Sequence, residues 1–81
     1  MEKIFRDVKM LIEVNCFINV DNVTMESIFF DLGLDELDMV DLIINVEDFY
    51  YIEISDEEYN TLKTVGELCN LIYDKIKKDF E

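Results

Sequence analysis

The sequence predicts a small all-α fold, a four-helix bundle of three longer helices and one short helix with a long first loop. Three observations carry that reading. Apolar residues recur at a spacing of about 3.6 in separate stretches near the start, middle and end of the chain. Two tetrads, Ser55-Asp56-Glu57-Glu58 and Thr64-Val65-Gly66-Glu67, have the Ser/Thr-x-x-Glu form that caps a helix start. There is also no proline and only two glycines, so polar turn formers mark most of the breaks between elements.

The first helix is expected from about Glu2 to Val14. Ile4, Val8, Leu11 and Ile12 share one face, Phe5 and Met10 widen it, and Lys3, Arg6, Asp7, Lys9 and Glu13 lie opposite. From Asn15 to about Leu34 the periodicity breaks. Asn15, Asn19, Asp21 and Asn22 favour turns, whereas Phe17, Ile18, Val20, Val23, Met25, Ile28, Phe29 and Phe30 make the loop too apolar to lie in solvent. A loop of this length is expected to lie across the helices, packed or functional. Gly33 marks a sharp turn.

The second helix starts at Asp35 or Glu36 and runs to Phe49 or Tyr50. Asp35 is a good N-cap, and Glu36 and Asp38 put negative charge in the first turn, where the helix dipole favours it. Leu42, Val46 and either Phe49 or Tyr50 are expected to face the core. Asp38, Asp41, Asn45 and Asp48 are expected to face water, with Leu37, Met39 and Ile44 on the border. After an extended connector, Tyr51 to Ile54, Ser55 opens the short helix and Thr64 the last one. The last helix turns Val65, Leu68, Cys69, Ile72 and Ile76 inward and carries Lys75, Lys77 and Lys78 in its final turns.

The 81 residues form one domain, 1–81, and their 51% hydrophobic content is too high for disorder. No apolar run approaches the roughly 20 residues that span a bilayer. Charges in Met1-Glu2-Lys3-Ile4-Phe5-Arg6-Asp7 stand where a signal peptide needs apolar residues, so a cytoplasmic location is expected. Cys16 and Cys69 make no disulfide framework and read as small buried apolar residues.

The net charge is -13 and unevenly spread: residues 10 to 62 contain fourteen acids and no cation. Such a surface repels nucleic acid and anionic lipid and steers basic partners, although acidity also serves solubility alone. Catalytic chemistry has little to stand on. There is no histidine to serve as base or metal ligand, and Gly33 and Gly66 are too far apart for a phosphate loop. Paired carboxylates are abundant, but an 81-residue bundle seldom offers the concave site they would need. A calcium loop over Asp31 to Leu42 fails, because its glycine is at the third position and a leucine ends it. No enzyme and no metal site is therefore expected. The mixture of acids with Leu37, Met39 and Ile44 suits a docking face.

The stretch Asp31-Leu32-Gly33-Leu34-Asp35-Glu36-Leu37-Asp38-Met39-Val40-Asp41-Leu42 resembles the acyl carrier protein motif, D-L-G-x-D-S-L-D-x-V-E-L. Glu47-Asp48-Phe49-Tyr50 is similar to the acidic-aromatic end of that family's second helix, and Glu53-Ile54-Ser55-Asp56-Glu57-Glu58 to its E-I-P-D-E-E segment, with Ser55 in place of proline. Thr64-Val65-Gly66-Glu67 resembles the start of its last helix. The likeness covers nearly the whole chain.

This resemblance implies a monomeric four-helix bundle without catalytic activity, serving fatty-acid or polyketide biosynthesis. Its motif serine would bear a 4′-phosphopantetheine arm. Acyl-chain synthases, acyltransferases and the phosphopantetheinyl transferase would dock basic patches on the second helix, by position on Asp35, Leu37, Asp38, Asp41, Ile44, Glu47 and Asp48. An acyl chain would fold back into a cleft lined by Leu42, Val46, Ile54 and Leu62. The departure is Glu36, which stands at the serine position. A carboxylate is a poorer nucleophile toward the coenzyme A pyrophosphate, and its product would be a labile mixed anhydride, so no cofactor is expected on this form. Three origins fit: an engineered replacement that keeps the chain unmodified, a natural carrier-like protein kept for its docking face, or a sequence error or an unknown chemistry. An alternative function is an interaction module that binds a basic partner without any arm.

Overall fold

The computed structural model describes residues 1–79, with side chains to Lys77. Four helices follow one another: α1 Glu2–Cys16, α2 Glu36–Tyr50, α3 Asp56–Asn60 and α4 Val65–Asp79, with a 3-10 turn at Phe30–Leu32 inside the first loop. Among the described residues there is no strand, only an isolated antiparallel bridge between Ile28 and Thr64. The helix starts and the turn at Gly33 fall where the sequence places them, and α1 runs two residues further than expected. The side chain of Lys78, expected in the last turns, lies outside the described residues.

α1 packs against both α2 and α4. Val8, Leu11 and Ile12 of α1 meet Leu42, Ile43 and Val46 of α2 and Val65, Leu68, Cys69 and Ile72 of α4 in one buried cluster. The first loop contributes Val23, Phe29 and Leu34 to that core, which satisfies the expectation that so apolar a loop lies across the helices. Two polar bonds tie α1 to α2: Tyr50 Oη donates to Asp7 Oδ2 at 2.8 Å, and Asn45 Nδ2 donates to Asn15 Oδ1 at 3.0 Å. Burial and the Asp7 carboxylate both push the Tyr50 hydroxyl above its usual range.

Two expectations about the helix faces need correction here. Met10 does not widen the buried stripe but is exposed. Asn45 is half-buried and bonded across to α1, because a side-chain amide can satisfy itself there as well as in water. At the end of α2 the choice left open between Phe49 and Tyr50 falls to Tyr50, which packs against the core while Phe49 is exposed. Cys69 fits the small-apolar reading, with burial pushing its thiol up to about 11. Cys16 is only half-buried, and its thiol is raised first by burial and then by Asp38, Asp41 and Asp35.

Both tetrads act as capping boxes. Ser55 Oγ accepts from the Glu58 N–H at 3.1 Å while the Glu58 carboxylate accepts from the Ser55 N–H at 2.9 Å. Glu67 Oε1 accepts from the N–H groups of Lys63 and Thr64 at 2.9 and 2.8 Å, and Thr64 Oγ1 accepts from the Glu67 N–H at 3.1 Å. These donors hold both glutamates below the usual carboxylate range, with Lys75 adding to the effect at Glu58 through an ion pair of 3.0 Å.

The first loop is stitched to the start of α4. Phe29 N–H donates to the Lys63 carbonyl at 3.0 Å, Val65 N–H to the Ser27 carbonyl at 2.9 Å, and Gly66 N–H to the Met25 carbonyl at 2.7 Å. A Cβ on residue 66 would stand 2.7 Å from that same carbonyl oxygen, so only glycine allows this approach.

Candidate functional site: the acidic face and mouth of α2

The first loop delivers the start of α2 through two local devices. The Gly33 N–H closes the 3-10 turn on the Phe30 carbonyl at 3.1 Å, and Gly33 takes φ 92°, a left-handed value that favours glycine. Leu34 then dives into the core, and Asp35 stops the extended chain as N-cap. Asp35 Oδ1 accepts from the Asp38 N–H at 2.8 Å and Asp38 Oδ2 accepts from the Asp35 N–H at 3.1 Å. Asp35 is the cap that the sequence predicts, and Asp38 is its reciprocal partner. An aspartate at the third helical position does the work usually given to glutamate.

Glu36 is the first helical residue and is exposed. Its carboxylate takes no part in the cap. It lies at the rim of a groove of about 630 Å³ whose walls include Phe29, Phe30, Leu34, Met39, Tyr59 and Leu62, with Lys63 also lining it. The walls are mostly apolar and come from three elements: the first loop, α2 and the end of α3 with its following turn.

Along the outer face of α2, Leu37 is 75%, Val40 43% and Ile44 49% exposed. These residues form one stripe at i, i+3 and i+7. Asp35, Asp41 and Asp48 are exposed beside it, and Asp38 is half-buried by its cap. Glu47 is half-buried too, and its Oε2 accepts from the Ile54 N–H at 2.9 Å, which ties the α2–α3 connector to α2. Met39, expected on the border, is half-buried in the groove wall instead.

The four cleft residues divide. Leu62 lines the groove beside Glu36. Ile54 lines a smaller hollow of about 210 Å³ with Val40, Ile43, Ile44 and Tyr59. Leu42 and Val46 are fully buried in the closed core and line neither. Their period-four spacing from one another marks the core stripe, whereas Met39 is the apolar residue of α2 that lines the groove. Val40 and Phe30, both exposed, are surface residues the sequence reading did not single out. The spacing of Val40 from Leu37 and Ile44 was a usable signal; nothing in the sequence marks Phe30 as outward while its neighbour Phe29 is buried.

An aliphatic stripe left in water among carboxylates, next to an apolar groove, marks a small acidic helical domain with unburied apolar area on one helix face. Comparison with known proteins narrows the class. The family described as "Phosphopantetheine attachment site" matches residues 6–72. An acyl carrier protein of Coprothermobacter proteolyticus is 39% identical over 72 residues, 88% of each chain. One of Clostridium perfringens is 40% identical over 75 residues, 91% of this chain and 99% of the relative. The crystal structure of an acyl carrier protein from Thermotoga maritima superposes with a TM-score of 0.88 at 25% identity, over 95% of this chain and 91% of that one.

The chain belongs to the acyl carrier protein family, whose members are carriers that work with biosynthetic enzymes and are not themselves enzymes. Among the described residues no helix is long and apolar enough to cross a membrane.

Proposed function

We propose that this chain is a carrier-type docking domain of fatty-acid or polyketide biosynthesis that does not itself take a 4′-phosphopantetheine arm. The observation that carries this reading is residue 36. It stands at the exposed first position of α2, at the mouth of the groove, where a group attached to it would be open to a partner enzyme. In the family motif that position is a serine, and here it is Glu36. A carboxylate does not fit the attachment reaction: it is the weaker nucleophile, and a phosphate ester-anhydride formed on it would hydrolyse. The nearby serines give no substitute. Ser27 Oγ accepts from the Thr24 N–H at 2.9 Å within the first loop, and Ser55 caps α3.

Docking does not need that hydroxyl. Leu37, Ile44, Asp41 and Asp48 are presented by the helix itself, and basic patches on synthases, acyltransferases and the phosphopantetheinyl transferase would meet them. The intact mass of the chain is expected to stay unchanged after incubation with coenzyme A and a phosphopantetheinyl transferase, whereas Glu36→Ser gains one arm. A mass gain by the unsubstituted chain would defeat this reading.

A second reading is favoured by the same independence of the face from residue 36: a module that holds one basic partner constitutively. Binding that needs no arm, weakens with salt and is lost in Asp41→Lys would select it.

A further inference from the structure

We infer that this chain acts as a competitive inhibitor of the enzymes that load serine-bearing carriers with the arm or use the loaded carriers: it occupies their carrier-docking site and offers no atom to react. The inference rests on the reading just given and extends it from what the chain lacks to what that lack does.

The structural basis is a separation between the residues that make the face and the residue that would react. The turn that starts α2 is held by Gly33, by Leu34 in the core and by the reciprocal bonds of Asp35 and Asp38. Glu36 takes part in none of these, and a negative side chain in a first helical turn is favoured by the helix dipole. The exposed stripe Leu37, Val40 and Ile44 and the carboxylates of Asp41 and Asp48 therefore keep their positions whatever stands at residue 36.

The occupant of this face is a basic, partly apolar patch of a carrier-dependent enzyme. Residues 10 to 62, which include the whole of α2, hold fourteen acids and no cation, so the field along this helix draws positive surface. The apolar stripe then loses water on contact, which sets the lifetime of the complex.

For a serine-bearing carrier, the docked complex with the transferase has two exits, dissociation and transfer of the arm. For this chain only dissociation remains. A ligand that binds as the substrate does but has no forward step raises the apparent KM of the true substrate and leaves kcat alone.

The test uses a phosphopantetheinyl transferase, coenzyme A and a serine-bearing acyl carrier protein, with arm transfer to that carrier timed as this chain is added. The apparent KM for the carrier should rise in proportion to the added chain at constant kcat. The double variant Asp41→Lys/Ile44→Ala, shown to be folded by its far-ultraviolet circular dichroism, should inhibit about tenfold less well. An unchanged KM with this chain in large excess would overturn the inference, as would a fall in kcat alone. Inhibition undiminished in the folded double variant would also overturn it, because the effect would then arise away from α2.

Glu36→Ser separates the two layers. If it gains an arm while the parent chain fails to inhibit, the inference falls and the carrier reading stands. If it gains no arm while the parent inhibits through α2, docking stands and the attachment reading of residue 36 falls.

Discussion

On the inner face of α2, Leu42, Ile43 and Val46 are buried against α1 and α4. On the outer face of the same helix, Leu37, Val40 and Ile44 stand in water among carboxylates. The residues are of the same chemical kind and differ only in their angle around the helix axis. The inner set serves the stability of the bundle, whereas the outer set adds little to it and supplies area for a partner to cover. Glu36, at the point where both faces begin, belongs to neither.

The sharpest way to break this comparison is to truncate one leucine on each face. Leu42→Ala removes a fully buried side chain and should lower stability by about 2–5 kcal/mol through lost transfer energy and a residual cavity. Leu37→Ala should change stability by no more than about 0.5 kcal/mol. Urea denaturation of both variants checks the pair. Equal losses would mean that the outer stripe is structural and that a docking role has to be found elsewhere.

Much of this division was legible in the sequence. Helix starts were marked by side chains that bond their own backbone, so Asp35, Ser55 and Thr64 could be placed from local chemistry alone. The core stripes of α1 and α4 followed from periodicity. What the sequence did not reveal depends on contacts between distant segments. Asn45 looked like a solvent residue because its partner, Asn15, is thirty positions away. Met39 looked like a border residue because the groove it lines is closed by Phe29 and Leu62 from other elements. Phe29 and Phe30 are adjacent and identical, and only the 3-10 turn decides which is buried. The motif around Glu36 named the site, but the groove beside it had to be built by folding.

The seam between the first loop and α4 gives an intermediate effect that sharpens the comparison from outside α2. Gly66→Ala would ordinarily favour a helix. Here the new Cβ would meet the Met25 carbonyl at 2.7 Å, a backbone atom that cannot swing aside. The loop must shift, and with it the hydrogen bond from Gly66 and the neighbouring bond from Phe29 to Lys63. A net loss of about 1–3 kcal/mol is expected, together with faster amide hydrogen exchange at Phe29 and Leu34. Exchange unchanged at those two amides would show that the groove wall does not depend on the seam.

The smallest effect should fall on the aromatic residues that end the first two helices. Phe17 and Tyr51 close α1 and α2 in the left-handed conformation, both at φ 56°, with side chains 92% and 91% exposed. A left-handed backbone costs a residue with a Cβ about 1–2 kcal/mol, and glycine is the residue helices ordinarily use at this position. Neither ring recovers that cost by burial. Tyr51→Gly should therefore leave stability unchanged or raise it by up to about 1 kcal/mol, the gain being limited by the greater freedom of glycine in the unfolded chain. A thermal melt decides the matter. A rise in Tm would place Tyr51 with the outer stripe, as an exposed apolar group held at some cost to the fold. A clear fall would mean that its ring does structural work and belongs with Leu42, Ile43 and Val46.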